Sequence, residues 1–414
     1  MNHLVRSTSA LAPHSFIPRP RGQLTIPINR LFLLAVVWTL WETAPKAWTA
    51  STAEESAAPQ SFTFAWGVNG NGQVGDGTTR PRRKPNLFGN VRDAISVSSG
   101  ASHNVAAQAD GTVRSSGSNA AGQLGIGTTE EQHVPVPAVG LGPTSAVAAG
   151  SFFSLALLSD ETVWGWGRDL SGELGDGGGP NELSPVPVPG LNDITQVSAG
   201  STYALALHAD GTISAWGEGD HGQLGNGSFD TVSPPVKVSE LTDIVAVSAG
   251  GAHALALKSD GTVWAWGYDF FGQLGDGASE DQPLPIQVAA LSDIVAVAAG
   301  ESHSLALAAD GTVWAWGLNS NGQLGDGTTT DHSTPQKVQV IGSIVDIGTG
   351  STSSSSYAID ATGMLWAWGS NGAAQLGDGT KSDKLLPVAI PRISQARAVS
   401  GGFQQAIAIG LPQQ

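Results

Sequence analysis

One sentence of about fifty residues is written seven times along this chain. A Trp-Gly pair, or its slot, falls at 66–67, 116–117, 166–167, 216–217, 266–267, 316–317 and 368–369; the step is 50 residues each time except the last, which is 52. A period of that size with strand-like content points to β units that stack or close into a ring. It overrides the expectation of two or three separate domains, because stacked units share one continuous core. Gly is 55 of 414 residues, roughly twice its usual share, and the chain is 40% hydrophobic, enough to bury a large core.

Within one unit the strands can be read directly. Ile244-Val-Ala-Val-Ser-Ala249 is apolar and small, His253-Ala-Leu-Ala-Leu-Lys258 alternates, and Thr262-Val-Trp-Ala-Trp266 is β-branched and aromatic. Pro235-Val-Lys-Val238 supplies a short extended piece from the unit before. Four short strands separated by turns are an all-β signature. Asp-Gly, a strong hairpin signal, recurs at 110–111, 210–211, 260–261 and 310–311. The two ends of the repeat region are complementary. Phe62-Thr-Phe-Ala-Trp-Gly67 is a Trp-Gly strand with no partners upstream, and Gln405-Ala-Ile-Ala-Ile409 ends the chain with no Trp-Gly strand downstream. Joining them completes a seventh sheet and removes the exposed edge that an open β array carries. The expected fold is an all-β, seven-bladed β-propeller over 62–411, closed by pairing the N- and C-terminal strands in one blade.

Three motifs recur in order: Val247-Ser-Ala-Gly-Gly-Ala-His-Ala-Leu-Ala-Leu257, Asp260-Gly-Thr-Val-Trp-Ala-Trp-Gly267 and Gly272-Gln-Leu-Gly-Asp-Gly277. Together they resemble the repeats of the regulator of chromosome condensation (RCC1) family over nearly the whole repeat region. The resemblance implies a seven-bladed propeller. It also implies, for the family's namesake, guanine nucleotide exchange on a small nuclear GTPase and chromatin binding. That activity is not carried over to this chain. It depends partly on an insertion in one blade, and the two-residue surpluses assigned here to Ser351–Ser356 and Gly372-Ala-Ala-Gln375 are too small to supply one. The basic tail used on chromatin is missing as well.

The best-repeated residues are expected to build the ring. Trp66, Trp166, Trp216, Trp266, Trp316 and Trp368, with second Trp residues at 164, 264, 314 and 366, should pack between neighbouring blades. Gly100, Gly150, Gly200, Gly250 and Gly300 open the Gly-x-x-His turns. His103, His253 and His303 share a slot with Phe153, Tyr203, Ser355 and Gln405, which suits a structural hydrogen bond and not a catalytic or metal-binding ring. Asp76, Asp176, Asp276, Asp326 and Asp378 share another slot. Such carboxylates could hold Ca²⁺, but they lie in different blades, too far apart to share an ion, and read as Asx turns. No metal, cofactor or catalytic set is expected. Arg114 and Ser116 replace both Trp in the first full unit, which should therefore be looser or use the polar slot.

Function is expected where the repeats differ. In an antiparallel meander alternate connections share a face, so the Gly-x-x-His turns and the long loops after Gly-Asp-Gly lie together. Variable loops on a rigid repeat scaffold are a common layout for binding. Candidate binding residues are the basic cluster Arg80, Arg82, Arg83 and Lys84 and the aromatics Phe152, Phe153, Tyr203, Phe229, Phe270 and Phe271. The formal charge of −16 argues against a nucleic-acid footprint, and the absence of Cys excludes disulfides and thiol chemistry. Residues 1–30 carry four Arg and no acid, and Leu31–Trp41 is an apolar run too short for a membrane span. Residues 1–53 are expected to be an export signal or an uncleaved N-terminal anchor, and 54–61 a linker. The expected function is a monomeric, exported, non-enzymatic scaffold for an unknown protein partner. The alternatives are a GTPase regulator by family analogy and a hydrolase or lyase on the same scaffold.

Overall fold

The computed structural model describes residues 60–339 and 342–413. The expected signal segment and nearly all of the linker lie outside the described residues. Among the described residues there are 28 strands and no helix, arranged as seven four-stranded antiparallel sheets. Six blades are consecutive. Blade 1 runs through Ala94–Ser99, His103–Gln108, Val113–Gly117 and Gln132–Pro137, and blade 4 repeats it at Ile244–Ala249, His253–Lys258, Val263–Gly267 and Gln282–Gln287. The seventh blade is the composite expected from the chain ends. Phe62–Gly67 pairs antiparallel with Gln405–Pro412, in register from Phe62 opposite Gly410 to Gly67 opposite Gln405. Ile393–Gly401 and Arg82–Arg92 complete that sheet. The molecule is a seven-bladed β-propeller.

The repeated sentence turns out to be a blade-to-blade lock. Trp266 is fully buried, and its indole N–H donates to the Gln223 carbonyl of the preceding blade at 2.9 Å. That carbonyl belongs to the Gly-Gln-Leu-Gly loop. A Cβ on Gly225, which has φ +63°, would lie 2.8 Å from the Trp266 indole nitrogen. The same bond joins Trp166 to Gln123, Trp216 to Glu173, Trp316 to Gln273 and Trp368 to Gln323. It also closes the seam, where Trp66 donates to the Gln375 carbonyl at 2.7 Å. Trp and Gly recur together because each Trp needs a glycine in the blade before it. The second Trp of each pair shares the face of the first but only half leaves solvent: Trp264 and Trp314 lie under the ammonium ends of Lys258 and Lys337.

The first strand of each blade is innermost, since these strands neighbour one another around the axis. Each is a sheet edge whose N–H groups would otherwise be unpaired. Side chains of the preceding blade take them: Ala149 N–H donates to Ser98 Oγ, Ala249 N–H to Ser198 Oγ and Ala299 N–H to Ser248 Oγ, at 2.9–3.0 Å. Gln196 does the same for Val247, accepting its N–H and donating to its carbonyl.

Blade 1 lacks its Trp but not its packing. Phe88, from the outer strand of blade 7, is fully buried beside Gly75, the place that Trp166 occupies beside Gly125. The Gln73 carbonyl accepts instead from Asn104 at 2.8 Å and Ser116 at 3.2 Å. The outer Trp slot is filled by Arg114, bonded to Gln108, and it borders a groove of about 700 Å³ between the outer strands of blades 7 and 1. The polar slots of blade 1 are thus used for hydrogen bonds.

Candidate functional site: the loop face

The Gly-x-x-His turns and the long third-to-fourth connections lie on one face. The first residue of each connection donates its N–H to the neighbouring turn: Ser118 to Ser102, Arg168 to Phe152, Glu218 to Thr202, Tyr268 to Ala252 and Leu318 to Ser302, all near 2.9 Å. The turns are also bonded to one another around the axis, Ala101 to Ser151, Ser151 to Ser201 and Ser201 to Gly251. This inner circle is why the turns open with Gly: a Cβ at Gly250 would stand 2.6 Å from the Gly300 carbonyl oxygen, and one at Gly150 2.6 Å from that of Gly200.

The fourth position of the turn points into the blade interface. His103, His253 and His303 are fully buried, each bonded through Nε2 to a serine hydroxyl of the next blade, Ser154, Ser304 and Ser356, at 2.9–3.0 Å. Burial lowers their pKa from 6.5 to about 4, about 3 and about 4. They are neutral structural links. Phe153 and Tyr203 occupy this same slot and are fully buried; the Tyr203 hydroxyl donates to the His253 carbonyl. They are corrected here from binding candidates to core residues. Their slot, already read as structural for His, was the signal that could have excluded them.

The basic cluster is also corrected in part. Arg82, Arg83 and Lys84 begin the outer strand Arg82–Arg92 and are not a free loop. Arg82 pairs with Asp76 at 2.5 Å. Burial pushes the Asp76 carboxyl up, but its bonds from Thr78 and Arg82 win and hold it below the usual range. The Arg83 carbonyl accepts from Gly379 of blade 6. Arg80, Arg83 and Lys84 are exposed, on blade 7. The structure does not bring them together with the aromatics, which lie on blades 2 to 4.

Those aromatics do form a cluster. Phe270 and Phe271 meet edge to face at 5.0 Å, with Tyr268 at 6.4 Å from each and His221 of blade 3 at 4.5 Å from Tyr268. Phe270 is 67% exposed and borders a shallow depression of about 280 Å³ with Ser279, Asp331 and Ser333. Leu170, at 75% exposure, holds the equivalent position of blade 2, and Phe152 and Phe229 are exposed on blades 2 and 3. Phe403, on the blade 7 turn, is exposed too and escaped the sequence reading. Acidic residues lie beside the cluster: Asp281 pairs with His221, and Asp331 lines the depression next to Phe270; Asp220, Asp230 and Glu280 belong to the same blade 3 and blade 4 connections.

The surplus of blade 6 is placed differently from expectation. Gly372-Ala-Ala-Gln375 carries no extra residue; Ala374 simply stands where other loops have Gly, at φ +66°. Both added residues lie in the turn before Ser355, and they fold inward. Ser351, Thr352 and Ser353 are buried, and the Ser351 carbonyl accepts from Ser201 Oγ of blade 3 at 3.1 Å, across the mouth of the channel. Among the described residues no group of three or more His, Cys, Asp or Glu side chains is placed to hold a metal ion.

A closed seven-bladed ring with Trp–glycine locks and one variable loop face defines a repeat-propeller scaffold. The RCC1-like domain model matches residues 62–408, and the chain belongs to that family. No curated protein matches it as a relative. Among solved structures it is similar to human WBSCR16, at 22% identity and TM-score 0.77, covering 86% of this chain and all of that one. It is also similar to Prp20p from Saccharomyces cerevisiae, at 24% identity and TM-score 0.74 over 87% of this chain and 93% of that one. Yeast RCC1 (Prp20) in its complex with Kap60 gives 23% identity and TM-score 0.76 over 91% and 97%. At these identities the likeness describes the fold.

Proposed function

We propose that this protein is an exported, non-enzymatic scaffold that binds a protein partner through the loop face of blades 2 to 4. The observation that carries the reading is the aromatic cluster of exposed Phe270 with half-buried Tyr268 and Phe271, on a face where Leu170, Phe152 and Phe229 are exposed as well. Large exposed aromatic side chains rimmed by polar residues are the usual anchors of a protein interface. The acidic rim favours a partner that offers an apolar group surrounded by Lys or Arg. The family supports the class of function: the yeast relative Prp20p is described by its binding to Gsp1p and histones, and yeast RCC1 is seen bound to Kap60. The basic N-terminal stretch followed by Leu31–Trp41 supports export.

The test is capture of partners by the intact protein and by a Phe270→Ala, Leu170→Ala variant, both in the cell of origin. Loss of the captured protein with the ring still folded is expected. Equal recovery by the two forms rejects this face. Cell fractionation checks the other half: protein found unprocessed in cytosol rejects export, and a rise in nucleotide release from a captured GTPase would replace the scaffold reading with the regulator.

A further inference from the structure

The long connections of six of the seven blades are held by one residue (blade 3 has Gly219 there), and in two blades that residue carries the wrong atom for its cage. In blade 5 it is Asn319. Its Oδ1 accepts the Leu324 N–H at 3.0 Å, and its amide nitrogen donates to Asp326 Oδ1, the Thr328 carbonyl and the Thr330 carbonyl at 3.0–3.3 Å. Asn69 and Asn371 do the same with Asp76 and Asp378. One amide thus satisfies a cage of oxygens. The remaining charge of the carboxylate is met by a basic side chain six residues on: Arg82 on Asp76, His332 on Asp326 and Lys384 on Asp378, at 2.5, 3.1 and 3.2 Å.

Blades 2 and 4 have Asp169 and Asp269 in place of that Asn, opposite Asp176 and Asp276. The backbone bonds that frame the loop are kept, although Gly178 of blade 2 takes φ +80°. Leu274 N–H donates to Asp269 Oδ1 at 2.8 Å, Ala278 N–H to Asp276 Oδ1 at 2.7 Å, and Asp269 N–H to Asp281 Oδ1 at 2.9 Å. Leu174, Gly178 and Asp169 N–H make the same three bonds in blade 2. Asp269 Oδ2 therefore stands where the amide nitrogen stands in Asn319. In blade 5 that place faces Asp326 and the carbonyls of Thr328 and Thr330, all of them acceptors; the equivalents in blade 4 are Asp276 and the carbonyls of residues 278 and 280. Asp169 and Asp269 are both buried to within 1% of complete, and both Oδ2 atoms lack a hydrogen-bond partner. The Glu280 carbonyl takes the Gln282 amide with one lone pair and keeps the other.

Among the five loops that carry the Asp, the compensating base is missing in the two where the Asn–Asp pair has become Asp–Asp. The position six residues after Asp276 is Gln282, and after Asp176 it is Glu182. Arg168 is nearby in blade 2 but pairs with Glu173. Asp169 and Asp269 are buried and their partners Asp176 and Asp276 are exposed; a buried carboxylate oxygen that faces a second carboxylate with no donor or base beside it calls for a proton or a cation.

We infer that the blade 2 and blade 4 loops are each a site for a hard divalent cation of the Ca²⁺ class, held by Asp169 with Asp176 and by Asp269 with Asp276. Backbone carbonyls of residues 178 and 180, and of 278 and 280, complete each cage. Mixed carboxylate and carbonyl oxygens are the donor set Ca²⁺ takes, with water filling the remaining positions. The ion lies within one loop, so carboxylates in separate blades do not have to meet. In blade 4 it would stiffen the loop that carries Phe270 and Phe271.

The full-length protein, freed of metal by chelation and dialysis, is titrated with CaCl₂ by calorimetry and its thermal midpoint is read with and without Ca²⁺. Two ions per chain and an upward shift in midpoint are expected, with a smaller shift for Mg²⁺. The Asp169→Asn, Asp269→Asn variant restores the amide seen at Asn319, so its fold is preserved. It should bind no Ca²⁺, show no shift, and melt no lower than the wild-type chain in chelator. Absence of binding to the wild-type chain at millimolar Ca²⁺ overturns the inference and leaves a shared proton in each pair. An equal response from the variant overturns it as well.

Discussion

The buried histidines should make this ring sensitive to mild acid, by an amount that can be worked out. His103, His253 and His303 titrate near 6.5 when unfolded and at about 4, 3 and 4 in the ring. The folded values are depressed, so the unfolded chain binds more protons between the two. Their contribution is present in full above about pH 6.5 and is lost as the pH falls toward 4. Each histidine then costs about 2 kcal/mol at pH 5 and ~3 kcal/mol at pH 4, since one pKa step is about 1.4 kcal/mol. For the three sites the loss is roughly 6 kcal/mol at pH 5, and the neighbouring His303 itself helps to lower the His253 value. The perturbation is His103→Gln, His253→Gln and His303→Gln together. Gln is chosen because Gln405 fills this slot in blade 7 and donates to the Gly100 carbonyl at 2.9 Å. Urea unfolding followed by Trp fluorescence at pH 7.5 and pH 5 gives the stability of both forms. Carboxylate titrations are common to the two and cancel in the comparison. The variant is expected to lose ~6 kcal/mol less than the wild-type chain over that interval, whatever its stability at pH 7.5. Parallel losses in the two forms refute the assignment of neutral, buried imidazoles.

Two further outcomes follow from the packing. Trp266→Ala removes a fully buried indole and its bond to Gln223 and should cost about 3–5 kcal/mol, read from the same unfolding curves; a cost below ~1 kcal/mol would mean that the blade interface does not rest on this lock. Ala374→Gly relieves the φ of +66° at a position where the other loops carry Gly and should stabilise the ring by ~1 kcal/mol, a gain of left-handed backbone freedom that is partly offset by chain entropy. A thermal midpoint that falls on this substitution would refute the strain.

The candidate site was less legible than the ring that carries it. The sequence separates a loop face from a hairpin face, because alternate connections of a meander must lie together. It does not tell which loop side chains meet. Phe152 and Phe153 are adjacent, yet one is exposed and the other buried, because the turn ends between them and the strand begins. Phe270 and Leu170 share a slot that in other blades holds Gly, Ala, Asp or Ser; that departure was visible, but its exposure was not. Asp169 and Asp269 were the quietest signal, a change of one atom from Asn that matters only when the oxygens around it are known.

What the sequence determined by itself is the ring. The 50-residue period, the four strands per unit and the complementary ends allow one closed arrangement, because an unpaired strand at either end would leave a sheet edge unsatisfied. It also marked the Trp and Gly slots as structural, since residues that recur in nearly every blade serve the contact the blades share. Tertiary structure alone decided which strand lines the axis, how Phe88 reaches from blade 7 to stand in for the Trp missing from blade 1, and that the two extra residues of blade 6 fold over the channel. Those outcomes depend on the angle between neighbouring blades and on the reach of side chains across it. A pattern of period two records which side chains share a face; it does not record what stands opposite that face.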